Sequence, residues 1–272
     1  KGGRACPRKY VLTVTASFSS PTPVHVMRVF YMGNNWLGRR LLEWLVEQGE
    51  EIVGLAVHPE EEGTYVDEIC SVSGLGEEKI FDGSSLRDEE TIEAVQNLEP
   101  DIGVSVLFGY ILRPVFLDLF PKGAFNLHPA YLPYNRGAYP NVWSIVDETP
   151  AGVTFHRIDE DVDTGDILSQ RRVEVRPADT GRSLYRRLEQ AGLELFRSTW
   201  PRLMAGEIEG VSQDEEAGTK HYVRDVDDID EIELDAKYRA RDLINILRAR
   251  TFPPHDGAYF EEGGRRVYLR LE

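Results

Sequence analysis

The chain has 272 residues, 41% of them hydrophobic, and a net charge of −16 from 47 acidic and 31 basic side chains. That length fits one large domain, or one domain with a small appendage, and the apolar share argues against general disorder. The acidic balance argues against nucleic acid as the main ligand, because polyanions call for a basic face. No run approaches the roughly 20 consecutive apolar residues of a membrane-spanning helix.

Only six of the basic residues are Lys. An acidic, Lys-poor, Arg-rich surface fits a high-salt cytoplasm, and equally a GC-rich coding bias. Two cysteines, Cys6 and Cys70, make neither a disulfide framework nor a zinc pattern. A reducing, cytoplasmic setting follows as the expectation, with Cys70 a small core residue.

Residues 1–26 carry Lys1, Arg4, Arg8 and Lys9 and no acid. They are read as a disordered leader or a misassigned start, with Met27 as the natural first residue; Thr13, Thr15 and Ser17 interrupt the apolar run that a secretory signal would need. The pattern then sharpens. Arg28–Met32 predicts a strand, and 34–48 a helix whose Trp36, Leu37, Leu41, Leu45 and Val46 recur at helical spacing, with Gly49 as its stop. Glu51–Val57 predicts the next strand.

A helix at 87–98, a buried strand at 101–107, a short helix near 114–119 and a short strand at 124–127 follow. Two more strands are expected at 151–158 and 167–176. Asp179 or Thr180 is expected to cap a long helix running to about Met204. Residues 207–217 read as a polar linker. A helix at 236–248 and a hairpin turning at Gly263-Gly264 complete the chain. Alternating strands and helices imply a doubly wound α/β sheet with its site at the carboxyl ends of the strands. The expected division is 1–26 leader, 27–206 catalytic domain and 207–272 small accessory region.

The first strand leads into Gly33-Asn34-Asn35-Trp36-Leu37-Gly38. A dinucleotide fingerprint would have a second glycine where Asn35 stands and an acid at the end of the second strand, where Val57-His58-Pro59 stands. The turn is read as serving the fold, which disfavours an NAD-dependent oxidoreductase.

Chemistry concentrates in 123–168. In a strand, residues i and i+2 face one side, so Asn126 and His128 of Phe125-Asn126-Leu127-His128-Pro129 project together from a strand's carboxyl end. An amide can donate to a developing oxyanion, and an imidazole can move a proton near neutral pH. The acid-rich turn Asp159–Asp166 follows Gly152-Val153-Thr154-Phe155-His156 and offers a carboxylate to orient His128. The histidines and acids show no metal-ligand spacing, so no metal is expected.

Asn126-Leu127-His128-Pro129, Leu132-Pro133, Arg136-Gly137, Gly152–His156 and Asp163-Thr164-Gly165 together resemble the folate-dependent formyltransferases, over about 27–176. The resemblance implies a Rossmann-like formyltransferase domain with a mainly parallel sheet, plus a small C-terminal α+β segment. It implies Asn126, His128 and Asp163 as catalytic residues and 10-formyltetrahydrofolate as co-substrate. The pterin would be held by two loops, Phe108, Gly109, Tyr110, Ile111 and Leu112 in one, Asp159 and Asp161 in the other.

The stretch Leu132–Ile145, with its Asn-Arg-Gly and Pro-Asn-Val-Trp, is similar to the nucleotide-sugar N-formyltransferases, as is 247–260. That likeness implies a small-molecule acceptor, a nucleotide-linked amino sugar, with Asn135, Arg136, Tyr139, Asn141 and Trp143 as candidate pocket residues. Trp143 reads equally as core packing on a helix, and Tyr139 and Asn141 as that helix's cap. The alternatives are a methionyl-tRNA formyltransferase, a 10-formyltetrahydrofolate hydrolase and a non-catalytic folate or nucleotide-sugar binding protein. Similar sugar enzymes pair as dimers, and the hairpin near 259–271 is a candidate for that contact.

Overall fold

The computed structural model of the protein describes residues 26–214 and 216–272. The leader expected over 1–26 lies, save for Val26, outside them. The strands are β1 (Arg28–Gly33), β2 (Glu51–Val57), β3 (Ile80–Asp82), β4 (Ile102–Val106), β5 (Ala124–His128), β6 (Arg136–Gly137), β7 (Ala151–Arg157), β8 (Ile167–Val173), β9 (Lys220–His221), β10 (Tyr259–Glu262) and β11 (Arg265–Tyr268). The helices are α1 (Asn35–Glu47), α2 (Val66–Ser73), α3 (Glu89–Asn97), α4 (Pro114–Leu117), α5 (Pro140–Val146), α6 (Gly181–Met204), α7 (Asp227–Asp230) and α8 (Ala240–Arg250).

Seven strands form one sheet in the order β3-β2-β1-β4-β5-β7-β8. The first five run parallel, and β7 and β8 join antiparallel. This is the expected mainly parallel α/β architecture with a small C-terminal α+β segment. The order reverses between β1 and β4, and such a reversal opens a crevice at the carboxyl ends of the strands.

Each strand's alternation feeds two cores. On one face Val29 and Tyr31 of β1, Leu55, Val104, Phe125 and Leu127 pack with Leu37, Leu41 and Leu45 of α1 and Leu184, Leu188 and Phe196 of α6. On the other, Phe30 and Met32 meet Ala56, Val95, Phe116, Phe120 and Ala124. Asn126 and His128 lie two and four residues beyond Ala124 on that second face, so the apolar core gives way to polar groups at the strand's end.

Caps follow the sequence. Asn34 is the N-cap of α1 and accepts from Asn35 N–H; Gly49 turns the chain at φ +85°. Thr180 is the N-cap of α6 and shares a capping box with Ser183, while Asp179 accepts from Arg176 N–H and the Ser183 hydroxyl. Gly263 and Gly264, at φ +58° and +76°, make the two-residue hairpin turn between β10 and β11, where left-handed backbone is needed and glycine adopts it freely.

Three expectations are corrected. The helix expected at 236–248 begins only at Ala240, because Ala236 N–H closes a turn onto the Glu233 carbonyl instead. Helix α2 and strand β3 lie in 66–82, where no element is expected. The polar stretch 207–217 does more than span: Val211 exchanges both backbone hydrogen bonds with Ile167, at 2.8 and 2.9 Å, and lays the chain across the start of β8. No described helix is long and apolar enough to cross a membrane.

Candidate active site

A cleft of about 770 Å³ opens at the carboxyl ends of β1, β4 and β5. The turn after β1 packs closely, since a Cβ on Gly38 would approach the Gly33 backbone at 3.4 Å and Trp36 leans on the core, while its Asn34 and Asn35 line the cleft.

At the floor of the cleft, four polar side chains meet. Asn126 and His128 come from β5, and antiparallel pairing sets His156 of β7 directly across from Asn126. Asp163 reaches in from the turn between β7 and β8, held at φ +58°. Asn126 Nδ2 lies 3.3 Å from both His156 Nε2 and Asp163 Oδ1. Both contacts are long for hydrogen bonds, which leaves the amide able to turn to a better acceptor. His156 Nδ1 is 2.7 Å from its neighbour's carbonyl, Arg157 O, so Nδ1 bears a proton, while Nε2 faces Asn126 and Asp163.

His128 is held from two sides. Its Nε2 is 3.1 Å from the Asn135 carbonyl, and its Nδ1 is 3.5 Å from Asp163 Oδ2. A carbonyl only accepts, so Nε2 carries the proton, and in the neutral ring Nδ1 has the free lone pair. Burial pushes His128 below its ordinary imidazole value of 6.5; the Asp163 carboxylate offsets only part of this, while His156 adds to it. The ring is neutral at pH 7.

Burial alone would raise Asp163, but His128, the hydrogen bond and charge of His156, and the Gly137 N–H outweigh it and hold the carboxyl well below its usual range. Asp163 Oδ2 accepts that Gly137 N–H at 2.8 Å. Gly137 sits at φ +85°, and a Cβ there would come 2.3 Å from the His221 carbonyl. Gly137→Ala is therefore expected to cost upward of about 2 kcal/mol, combining left-handed strain with the clash, and chemical denaturation measures it.

All seven donor-loop residues expected from sequence line the cleft: Phe108, Gly109, Tyr110, Ile111 and Leu112 after β4, and Asp159 and Asp161 in the acid-rich turn. Of the five acceptor candidates, Tyr139 and Asn141 line it. The side chains of Asn135, Arg136 and Trp143 lie behind its wall. Asn135 is fully buried, with its amide on the hydroxyls of Ser144, Thr149 and Thr219; it serves the site through its carbonyl on His128. Arg136, 7% exposed, donates to Gln213 Oε1. Trp143 lies in α5 and stacks on His221, with ring centroids 4.1 Å apart.

Sequence reasoning assigns no role to His156, Gln213 or the segment 220–223. His156 stands in a quoted motif, but only strand register shows that it faces Asn126. Gln213 Nε2 donates to the carbonyls of Asp163 and Gly165 at 2.9 and 2.8 Å, and clamps the turn that presents the carboxylate. Lys220, His221, Tyr222 and Val223 also line the cleft. Tyr222 is 54% exposed with Lys220 Nζ 5.5 Å and Arg224 Cζ 5.8 Å from its ring. Among the described residues neither cation has a carboxylate within salt-bridge distance. Among the described residues no cluster of three or more His, Cys, Asp or Glu could hold a metal ion.

Residues 62–199, just over half of the chain, match the formyl transferase family, and 225–272 match the N-formyltransferase dimerization C-terminal domain. A methionyl-tRNA formyltransferase of Geobacter sulfurreducens is 31% identical over 195 residues, 70% of this chain and 62% of that protein, so the chain aligns with about three fifths of this relative's length. A 4-N formyltransferase from Francisella tularensis superposes with a TM-score of 0.73 at 26% identity, covering 91% of this chain and 98% of that one. The formyltransferase PseJ from Anoxybacillus kamchatkensis, solved with UDP-4,6-dideoxy-4-formamido-L-AltNAc and tetrahydrofolate, superposes with a TM-score of 0.55 at 28% identity, covering 74% and 88%.

Proposed function

The chain belongs to the formyl transferase family, and from that premise we propose that it moves a formyl group from 10-formyltetrahydrofolate to the amine of a nucleotide-linked amino sugar. One observation carries the reaction class: a buried, ionised Asp163 facing the free lone pair of a neutral His128 across 3.5 Å at the floor of a cleft. A proton taken up at Nδ1 is stabilised there by the carboxylate.

The mechanism follows from that geometry. The acceptor's neutral amine attacks the formyl carbon, forming the new C–N bond. Asn126 Nδ2, released from its long contacts, donates to the developing oxyanion. His128 Nδ1 takes the amine proton and returns it to the departing folate nitrogen as that C–N bond breaks. Asp163 orients His128 and balances its transient charge. The donor's ring system is read against 108–112 and 159–163, with Ile111, 74% exposed, as an apolar edge for it.

The acceptor reading draws support from the segment 220–223 on the cleft wall. There Lys220 and the exposed Tyr222 ring line the cleft, with Arg224 beside that ring, and among the described residues neither cation has a carboxylate partner, in a chain of net charge −16, a chemistry suited to a base and its phosphates. The PseJ complex names a nucleotide sugar and a folate as ligands of that relative. Sequence likeness to a methionyl-tRNA formyltransferase favours a tRNA acceptor as the second reading; the acidic charge opposes it.

We further propose that 27–206 is the catalytic domain and 207–272 an accessory region lending Gln213 and 220–223 to the cleft. The dimerization-domain match supports a homodimer, and we place the enzyme in the cytoplasm. The test is release of tetrahydrofolate from the donor, which the proposal expects only when an amino sugar is present; release without any amine would instead mean a hydrolase. Gln213→Met keeps the side chain's length and loses its amide. It is expected to lower kcat about tenfold, the loss of roughly 1.4 kcal/mol of positioning, with the donor KM unchanged, as steady-state kinetics will show.

A further inference from the structure

The first residue beyond β2 is His58, at the carboxyl end of a parallel strand and on the cleft wall. Its Nε2 accepts the Gly109 N–H at 3.0 Å. Gly109 is the second residue of the loop 108–112. The approach is close: a Cβ on Gly109 would lie 3.3 Å from the imidazole. The ring also packs edge-on against Phe108, at 5.3 Å between centroids, and at a tilt against Tyr110, at 5.0 Å. Below this trio Gly83 leaves just enough room, since a Cβ there would fall 2.5 Å from Tyr110 and 2.7 Å from Phe108. One imidazole thus fixes a backbone N–H and two aromatic rings of the same short loop.

We infer that His58 is a positioning residue for folate: its unprotonated Nε2 holds the loop 108–112 in the conformation that receives the donor, and protonation releases that loop. The inference rests on the donor reading above.

The chemistry is specific to one protonation state. With Nε2 accepting, the single ring proton sits on Nδ1. An imidazolium would carry N–H at both nitrogens, and Nε2–H would then oppose Gly109 N–H, leaving the loop amide unpaired. Three groups face the ring: the carboxylates of Glu62 and Asp82, which favour the charged form, and the Tyr110 phenol, itself 3.4 Å from Glu62 Oε2. Burial is the largest influence and keeps His58 below 6.5. The receptive loop is therefore complete at neutral pH and is lost as pH falls below that value. His58 touches none of Asn126, His128 or Asp163, so the effect falls on donor binding and not on turnover at saturation.

The test is the dissociation constant of tetrahydrofolate for the full chain between pH 7.5 and 5, by calorimetry, with kcat at saturating donor alongside. The wild type is expected to weaken several-fold toward pH 5. His58→Gln keeps an acceptor but cannot titrate, and is expected to bind as the wild type does at pH 7.5 and to hold that affinity across the range. His58→Ala is expected to bind about tenfold more weakly at every pH, the worth of one hydrogen bond, with kcat within twofold. Without any ligand, the Gly109 amide resonance is expected to titrate in the wild type and stay still in His58→Gln. Wild-type affinity in His58→Ala, or wild-type pH dependence in His58→Gln, overturns the inference and leaves the donor reading intact. Absence of folate binding by the wild type at pH 7.5 would overturn both.

Discussion

His128→Ala is expected to lose on the order of 10³ in kcat/KM, within the range for removal of a general acid–base group, and to remain folded. The loss follows from His128 Nδ1 being the lone pair that Asp163 backs at 3.5 Å. Water entering the vacated space can satisfy the Asn135 carbonyl, so the stability cost is expected to stay near 1–3 kcal/mol. Circular dichroism and denaturation separate the two effects: a folded, inactive variant is the expected result, and near-wild-type turnover would contradict the mechanism. The wild type carries a matching pH signature. The active ring is neutral and its value is depressed, so kcat at saturating donor is expected to hold through neutral pH and to fall on an acid limb below 6.5. Saturation with donor keeps His58 out of that profile.

Asp163→Asn is the second large effect, about 10²–10⁴-fold in kcat. The substitution keeps the side chain's shape and removes its charge, so nothing balances a proton on His128 Nδ1. The Asn side chain can still present its carbonyl oxygen to the Gly137 N–H, which now meets Asp163 Oδ2 at 2.8 Å. The turn should therefore survive. Without the carboxylate, His128 loses the one charge that raises its value, and the acid limb is expected to move lower still. A variant with reduced kcat and an unmoved limb would show that Asp163 acts through the backbone of its turn and not through its charge.

Most of the sheet is legible in the sequence because its signals are local. Alternation around Phe30, the helical spacing of Leu37, Leu41 and Leu45, Thr180 at a helix start and Gly263-Gly264 in a hairpin each specify their own element. Asn126 and His128 are legible for the same reason, since two residues of one strand two apart must share a face. Asp163 needs the acid-rich turn, and among its several carboxylates only the family resemblance singles one out.

What stays hidden is what register and return crossings create. His156 faces Asn126 only because β5 and β7 pair at that register. Gln213 reaches the Asp163 turn because Val211 pairs with Ile167, a contact 44 positions apart in the chain. Asn135, Arg136 and Trp143 have polar or aromatic side chains in the right stretch, but their neighbours draw them inward: three hydroxyls for Asn135, Gln213 for Arg136 and the His221 ring for Trp143. Composition cannot distinguish a side chain that lines a cleft from one that supports its wall. The segment 220–223 shows the reverse, since a stretch unremarkable in sequence supplies the cleft with an exposed ring and a lysine.

The most direct test of the central claim is a competition between acceptors. The purified protein is given 10-formyltetrahydrofolate with nucleotide-linked amino sugars in one arm and methionyl-tRNA in the other, and the formylated product is identified by mass spectrometry. Formylation of an amino sugar, absent in His128→Ala, is the result predicted here. Formylation of methionyl-tRNA alone would contradict the assignment of the Lys220–Tyr222 wall of the cleft to a sugar nucleotide.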